Sequence, residues 1–76
     1  MSPALPVLKP REVVRALERG GFFIHHSTGS HVQLKHRDHP ALRITVPYHS
    51  SDLPRGTLRS IIRQDELSVE QFAALL

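Results

Sequence analysis

Cysteine is missing altogether from this chain of 76 residues. That excludes disulfides, thiolate zinc sites and cysteine nucleophiles together, and suits a reducing compartment. Long apolar runs are missing too. None approaches the ~20 residues of a membrane span, and Met1 to Leu8 has neither a charged start nor an extended apolar stretch. The chain is accordingly expected in the cytoplasm, away from membranes. Internal repeats, low-complexity tracts and an interdomain linker are also lacking, so residues 1–76 read as one domain. A domain of this size buries only about 60% of the surface its unfolded chain exposes.

Basic residues are present in excess. Ten Lys and Arg face seven acids, giving a net charge of +3, and eight of the ten are arginine, whose planar fork suits phosphate. More unusual are six histidines, all between His25 and His49. Any chemistry is expected in that stretch.

Residues 1–8 carry two prolines and no usable period, and read as an irregular arm. A helix is predicted from Pro10, where a missing N–H costs nothing, with Val13, Val14 and Leu17 as its apolar stripe and Gly20-Gly21 as its stop. Strands are predicted over Phe22 to His26, His31 to His36 and Leu42 to Val46, with Pro47 ending the last. In the second of these, Val32 and Leu34 alternate with His31, Gln33 and Lys35, the period-two mark of a sheet with one buried face. A second helix is expected from Pro54 or Thr57 to Glu66 on the stripe Leu58, Ile61 and Ile62. Ser68 and Gln71 then resemble a capping box ahead of a short terminal helix.

The order is α-β-β-β-α, an α+β fold whose three-stranded sheet takes both helices on one face. Phe22, Ile24, Val32, Leu34, Leu42, Ile44 and Val46 belong to the covered face. Phe23, His25, His31, Gln33, Lys35, Arg43 and Thr45 belong to the open one. Parity asks for an odd number of residues in the first hairpin connection, and a three-residue loop with Gly29 at positive φ is the economical choice. One register sets His25 opposite His31. The other sets His25 against Gln33 and His31 against Ser27.

An imidazole titrates near pH ~6.5, so His31 is the best candidate to take or give a proton. Lys35 and Arg43 are suited to hold phosphate, with backbone N–H groups near Gly29 and Ser30 as further donors. Together these are parts for metal-free phosphodiester cleavage by a ribose 2′-OH, a route that spares DNA. His49, after Pro47-Tyr48, is the candidate second group. His26 and His36 fall on the covered parity, where hydrogen-bonded histidines are ordinary. A zinc or nickel site is the competing use of the imidazoles, with His25 and His31 as a two-ligand start, but no helical His pair and no third ligand stand out. Arg11, Arg15 and Arg19 form one four-spaced row, and Arg55, Arg59 and Arg63 another. Either they follow a phosphate backbone, or Glu12, Glu18, Asp52 and Glu66 pair them into a solvated face.

Gly21-Phe22, Gly29-Ser30-His31, Pro47-Tyr48-His49, Gly56 to Ile61 and Leu67 to Phe72, in that order, resemble the HicA toxin family from Lys9 to Leu76. The resemblance implies a fold like the double-stranded RNA-binding domain. It also implies an mRNA endoribonuclease that needs no cofactor, a catalytic histidine carried over to His31, and a HicB-type antitoxin partner that occludes the site. The chain departs from the family at Glu66, where a glycine is frequent, and at Arg37-Asp38-His39-Pro40, a turn without its frequent glycine. A non-catalytic RNA-binding module and an antitoxin-bound interaction domain are the alternative readings.

Overall fold

A computed structural model describes residues 5–49 and 51–76. Its elements are α1 (Pro10–Arg19), β1 (Phe22–Ser27), β2 (His31–His36), β3 (Arg43–Pro47), α2 (Arg55–Gln64) and α3 (Val69–Ala73). The strands form one antiparallel sheet in the order β1-β2-β3. This is the α-β-β-β-α order expected, with both long helices on one sheet face. Val13, Val14 and Leu17 of α1 and Leu58, Ile61 and Ile62 of α2 close over Val32, Leu34, Ile44 and Val46. The alternating burial of β2 and β3 follows from this, because period-two apolar residues meet helices on one side only.

Local chemistry sets the boundaries. Glu12 accepts from the Lys9 N–H at 3.0 Å, and Pro10 opens α1 without losing a donor. Gly21, at φ 100, turns the chain into β1. Ser68 caps α3 by accepting from Gln71 N–H at 3.1 Å, while the Gln71 side chain returns a bond to Ser68 N–H at 2.8 Å, as the capping box requires. Phe72 of α3 is fully buried, and Arg19 donates to the Leu75 carbonyl at 2.8 Å, fastening the terminal helix beneath α1.

Several expectations need correcting. The arm is irregular over residues 5–9, as expected, but its packing was not foreseen: Leu5 and Leu8 are buried core residues, and Leu53 N–H donates to the Leu8 carbonyl at 2.8 Å. The arm's first four residues lie outside the described ones. Pro47 is the last residue of β3 rather than a stop beyond it, and α2 ends at Gln64, not Glu66. Ile24 shares a face with its partner Leu34 yet is 48% exposed, because only Phe22 at the start of this edge strand is covered. Three residues, Thr28 to Ser30, connect β1 to β2 as expected, but the register shifts within β1: Ile24 pairs with Leu34 and His26 with Gln33, so His25 is a bulge, and Thr28 N–H donates to the His31 carbonyl across the turn. Neither expected register occurs, and Gly29 does not take positive φ. The bulge also flips the parity of His26, which is exposed rather than half-buried.

Candidate functional site

The turn that precedes β2 is held from four directions. Thr28 N–H donates to the His31 carbonyl at 2.8 Å, and Thr28 Oγ1 accepts from His31 N–H at 3.1 Å and from Ser30 N–H at 3.4 Å. From β3, Tyr48 N–H donates to the Ser30 carbonyl at 2.7 Å. The backbone under His31 is therefore fixed by the ladder on one side and a threonine-stapled turn on the other. Thr28 was not foreseen as a site residue. Its signal is a hydroxyl at the start of a Gly-Ser turn, where side-chain oxygens commonly capture backbone N–H groups.

His31 is exposed, and its Nδ1 lies 3.0 Å from Ser30 Oγ. A hydroxyl both donates and accepts, so this bond survives in either protonation state of the ring. Ser30 thereby fixes the ring's orientation without fixing its charge. Among the described residues Nε2 has no hydrogen-bond partner, which leaves it available to a proton on another molecule.

His36, at the opposite end of β2, is built differently. Asp38 N–H donates to its Nδ1 at 3.0 Å, so the ring proton sits on Nε2, which donates to the Gly20 carbonyl at 3.0 Å. Both nitrogens are occupied by backbone, and the ring packs edge-on to Phe22 at 4.8 Å. His36 is thus the hydrogen-bonded structural histidine that its parity suggested. The His39 ring lies 4.9 Å from it, tilted by 44°. His25 and His26 are exposed.

His49 is exposed and follows Pro47, the cross-strand partner of His31, by two residues. The fold thus brings His31 and His49 to one end of the sheet. Along the open face from His31 come Gln33, opposite Thr45, and Lys35, opposite Arg43. His25, Gln33, Lys35, Arg43 and Thr45 line a shallow cavity of about 260 Å³. Phe23, opposite Lys35, is 44% exposed. The open face expected from parity is therefore present, residue for residue.

A larger cleft, about 710 Å³, opens at the far end of β2 among Phe22, His36, Leu42, Leu67 and Leu75. Its one buried acid is Asp65, which sequence reasoning missed. Asp65 Oδ1 accepts from Leu67 N–H at 2.9 Å, whereas Oδ2 is buried without a partner among the described residues. Burial pushes its carboxyl up to about 6, against the opposing pull of the Leu67 bond. This cleft lies at the opposite end of β2 from His31.

The expected charge pairing of the arginine rows is absent among the described residues. Glu12 is committed to the start of α1, and Asp52 pairs with Lys9 at 3.3 Å. Arg11, Arg15, Arg55, Arg59 and Arg63 remain exposed and without ion pairs. Arg59 and Arg63 line a depression of about 290 Å³ beside Ser68. No group of three His, Asp or Glu among the described residues is placed to hold a metal, and His25 and His31 are not cross-strand partners.

No curated protein matches the chain. A family model described as the HicA toxin of bacterial toxin–antitoxin pairs matches residues 10–67. The matched span begins at the first residue of α1 and takes in the stapled turn, the whole sheet and α2, including every residue of the open face. The chain therefore belongs to the HicA toxin family of bacterial toxin–antitoxin systems.

Proposed function

We propose that this toxin is a metal-independent mRNA endoribonuclease that uses His31 as its general acid or base. One observation carries the reading: the His31 ring is oriented at Nδ1 by Ser30 while, among the described residues, Nε2 has no partner and the cations of the same sheet face have no carboxylate partners. In such a cleavage the ribose 2′-OH loses its proton, its oxygen attacks the adjoining phosphorus, and the 5′-oxygen leaves with a proton. The products are a 2′,3′-cyclic phosphate and a 5′-hydroxyl. His31 moves one of the two protons, and His49 is the candidate for the other. The backbone N–H group of Gly29 supplies a donor near the scissile phosphate, Ser30 orients the His31 ring, and Lys35, Arg43 and Arg59 bind the RNA backbone. DNA lacks the nucleophile and is spared. The whole chain acts as one HicA-like unit in the cytoplasm, and its HicB-type antitoxin covers the open face.

The test is cleavage of RNA by the purified protein in EDTA, with the ends mapped, against His31→Ala. A positioned acid or base contributes about 10²- to 10⁴-fold, and the variant is expected to lose that much without loss of fold. Undiminished cleavage by His31→Ala overturns the mechanism. Salt-sensitive RNA binding without new ends identifies a non-catalytic binding module instead.

A further inference from the structure

We infer that the open-face cavity beside His31 is a subsite for the nucleotide that adjoins the cleaved linkage, so that Lys35 and Arg43 hold a phosphate other than the scissile one. The inference rests on the ribonuclease reading above and adds to it how the substrate lies.

The first observation is a like-charge pair. Lys35 and Arg43 stand directly opposite each other on β2 and β3. Two cations in that position repel, which destabilises the ladder. Among the described residues neither side chain has an ion pair or hydrogen bond to offset it. An anion between the two removes that cost, and the planar guanidinium of Arg43 suits a phosphodiester.

Distance decides which phosphate this is. Four residues at a strand rise of about 3.3 Å set the Lys35 backbone about 13 Å from that of His31. Donors must come within about 3 Å of a phosphate oxygen, and among the described residues His31 is not part of the cavity wall that holds Lys35 and Arg43, so an anion seated between those two is separate from the one at the His31 ring. Gln33 and Thr45 occupy the interval, facing each other across the ladder on the same cavity. An amide and a hydroxyl offer donors and acceptors to a base edge, whereas neither carries charge for a phosphate.

His25 completes the subsite. Alternation from Phe23 gives His25 to the open face, the bulge leaves it unpaired in the ladder, and its side chain forms part of the cavity wall. An unpaired base stacks on an imidazole face as it does on other aromatic rings. The occupant is therefore one nucleotide of unpaired RNA, its phosphate on Lys35 and Arg43, its base over His25 with Gln33 and Thr45 at the edge.

The experiment uses the full chain and an oligonucleotide with one ribonucleotide at a mapped cleavage position and 2′-deoxy nucleotides elsewhere. A neutral methylphosphonate is walked through the neighbouring linkages one at a time. For the wild type, neutralising one linkage beside the cleaved one is expected to lower kcat/KM about tenfold, the loss of one charge-assisted contact. Lys35→Gln and Arg43→Gln should show the same loss on the unmodified substrate and no further loss from that methylphosphonate. Gln33→Ala should change which sequences are cut. Equal sensitivity of wild type and both charge variants at every linkage overturns the subsite while leaving the ribonuclease reading intact. Failure of the wild type to cleave the all-RNA control overturns both.

Discussion

Asp65 and Glu66 show how much a single residue can unbalance a fold this small. Asp65 is 3% exposed, with one oxygen satisfied by Leu67 N–H and the other by nothing among the described residues, and Glu66 is the only described non-glycine residue at positive φ, at 61°. The left-handed position after α2 is where the family's frequent glycine falls, so Glu66 occupies it at a steric cost and the Asp65 bond to Leu67 spans it. The Asp65 carboxyl titrates near 3.8 when unfolded and at about 6 when folded. Because the folded value is raised, the protonated acid is the form the fold prefers. Its contribution to stability is complete below the unfolded value, declines as pH rises towards about 6, and is level beyond. Between pH 5 and pH 7.5 the loss is about 1 to 2 kcal/mol. Asp65→Asn should remove that slope from urea-unfolding free energies measured across the range. If the variant keeps the wild-type slope, the pH dependence belongs to another group.

At the scale of elements, the two hairpin-flanking glycines have exchanged the roles a sequence reader gives them. Gly21 needs its freedom: at φ 100, an added Cβ would lie 2.8 Å from His36 Nε2, the atom bonded to the Gly20 carbonyl. Gly29 has open space around it and ordinary φ. Gly21→Ala is therefore expected to cost more than about 1 kcal/mol, from left-handed strain and a displaced His36. Gly29→Ala should shift the urea midpoint little. Equal effects at the two positions would contradict the turn geometry. The helices were legible because their stripes, Val13-Val14-Leu17 and Leu58-Ile61-Ile62, carry the 3.6-residue period and have only one sheet face to bury against. The open face was legible because period two leaves it no choice. Parity between Ile24 and Leu34 demanded an odd connection, but parity does not disclose a bulge within β1, and the hidden bulge changed the surroundings of His25 and His26. Leu5 and Leu8 were illegible for another reason: an irregular segment has no period, and its burial depends on a bond from Leu53 far along the chain.

For the whole molecule, a net charge of +3 understates how the charge is arranged. Acids are drawn into local tasks, Glu12 at the start of α1, Asp52 on Lys9 and Asp65 in the core, while the arginine rows face solvent without ion pairs among the described residues. The rows lie on the helical side and His31 on the sheet side of a body only 17 Å across its smallest dimension. An RNA strand engaged at His31 is therefore within a short path of Arg59 and Arg63. Binding of RNA to the His31→Ala protein, chosen because slow cleavage is expected of it, should weaken linearly in log affinity against log salt. Each phosphate neutralised on a single strand contributes about 0.7 to that slope. Arg59→Gln combined with Arg63→Gln should lower it by about 1.4, while substitutions on the open face lower it independently. A slope unchanged by the double substitution assigns the α2 row to a solvated surface and confines RNA to the sheet.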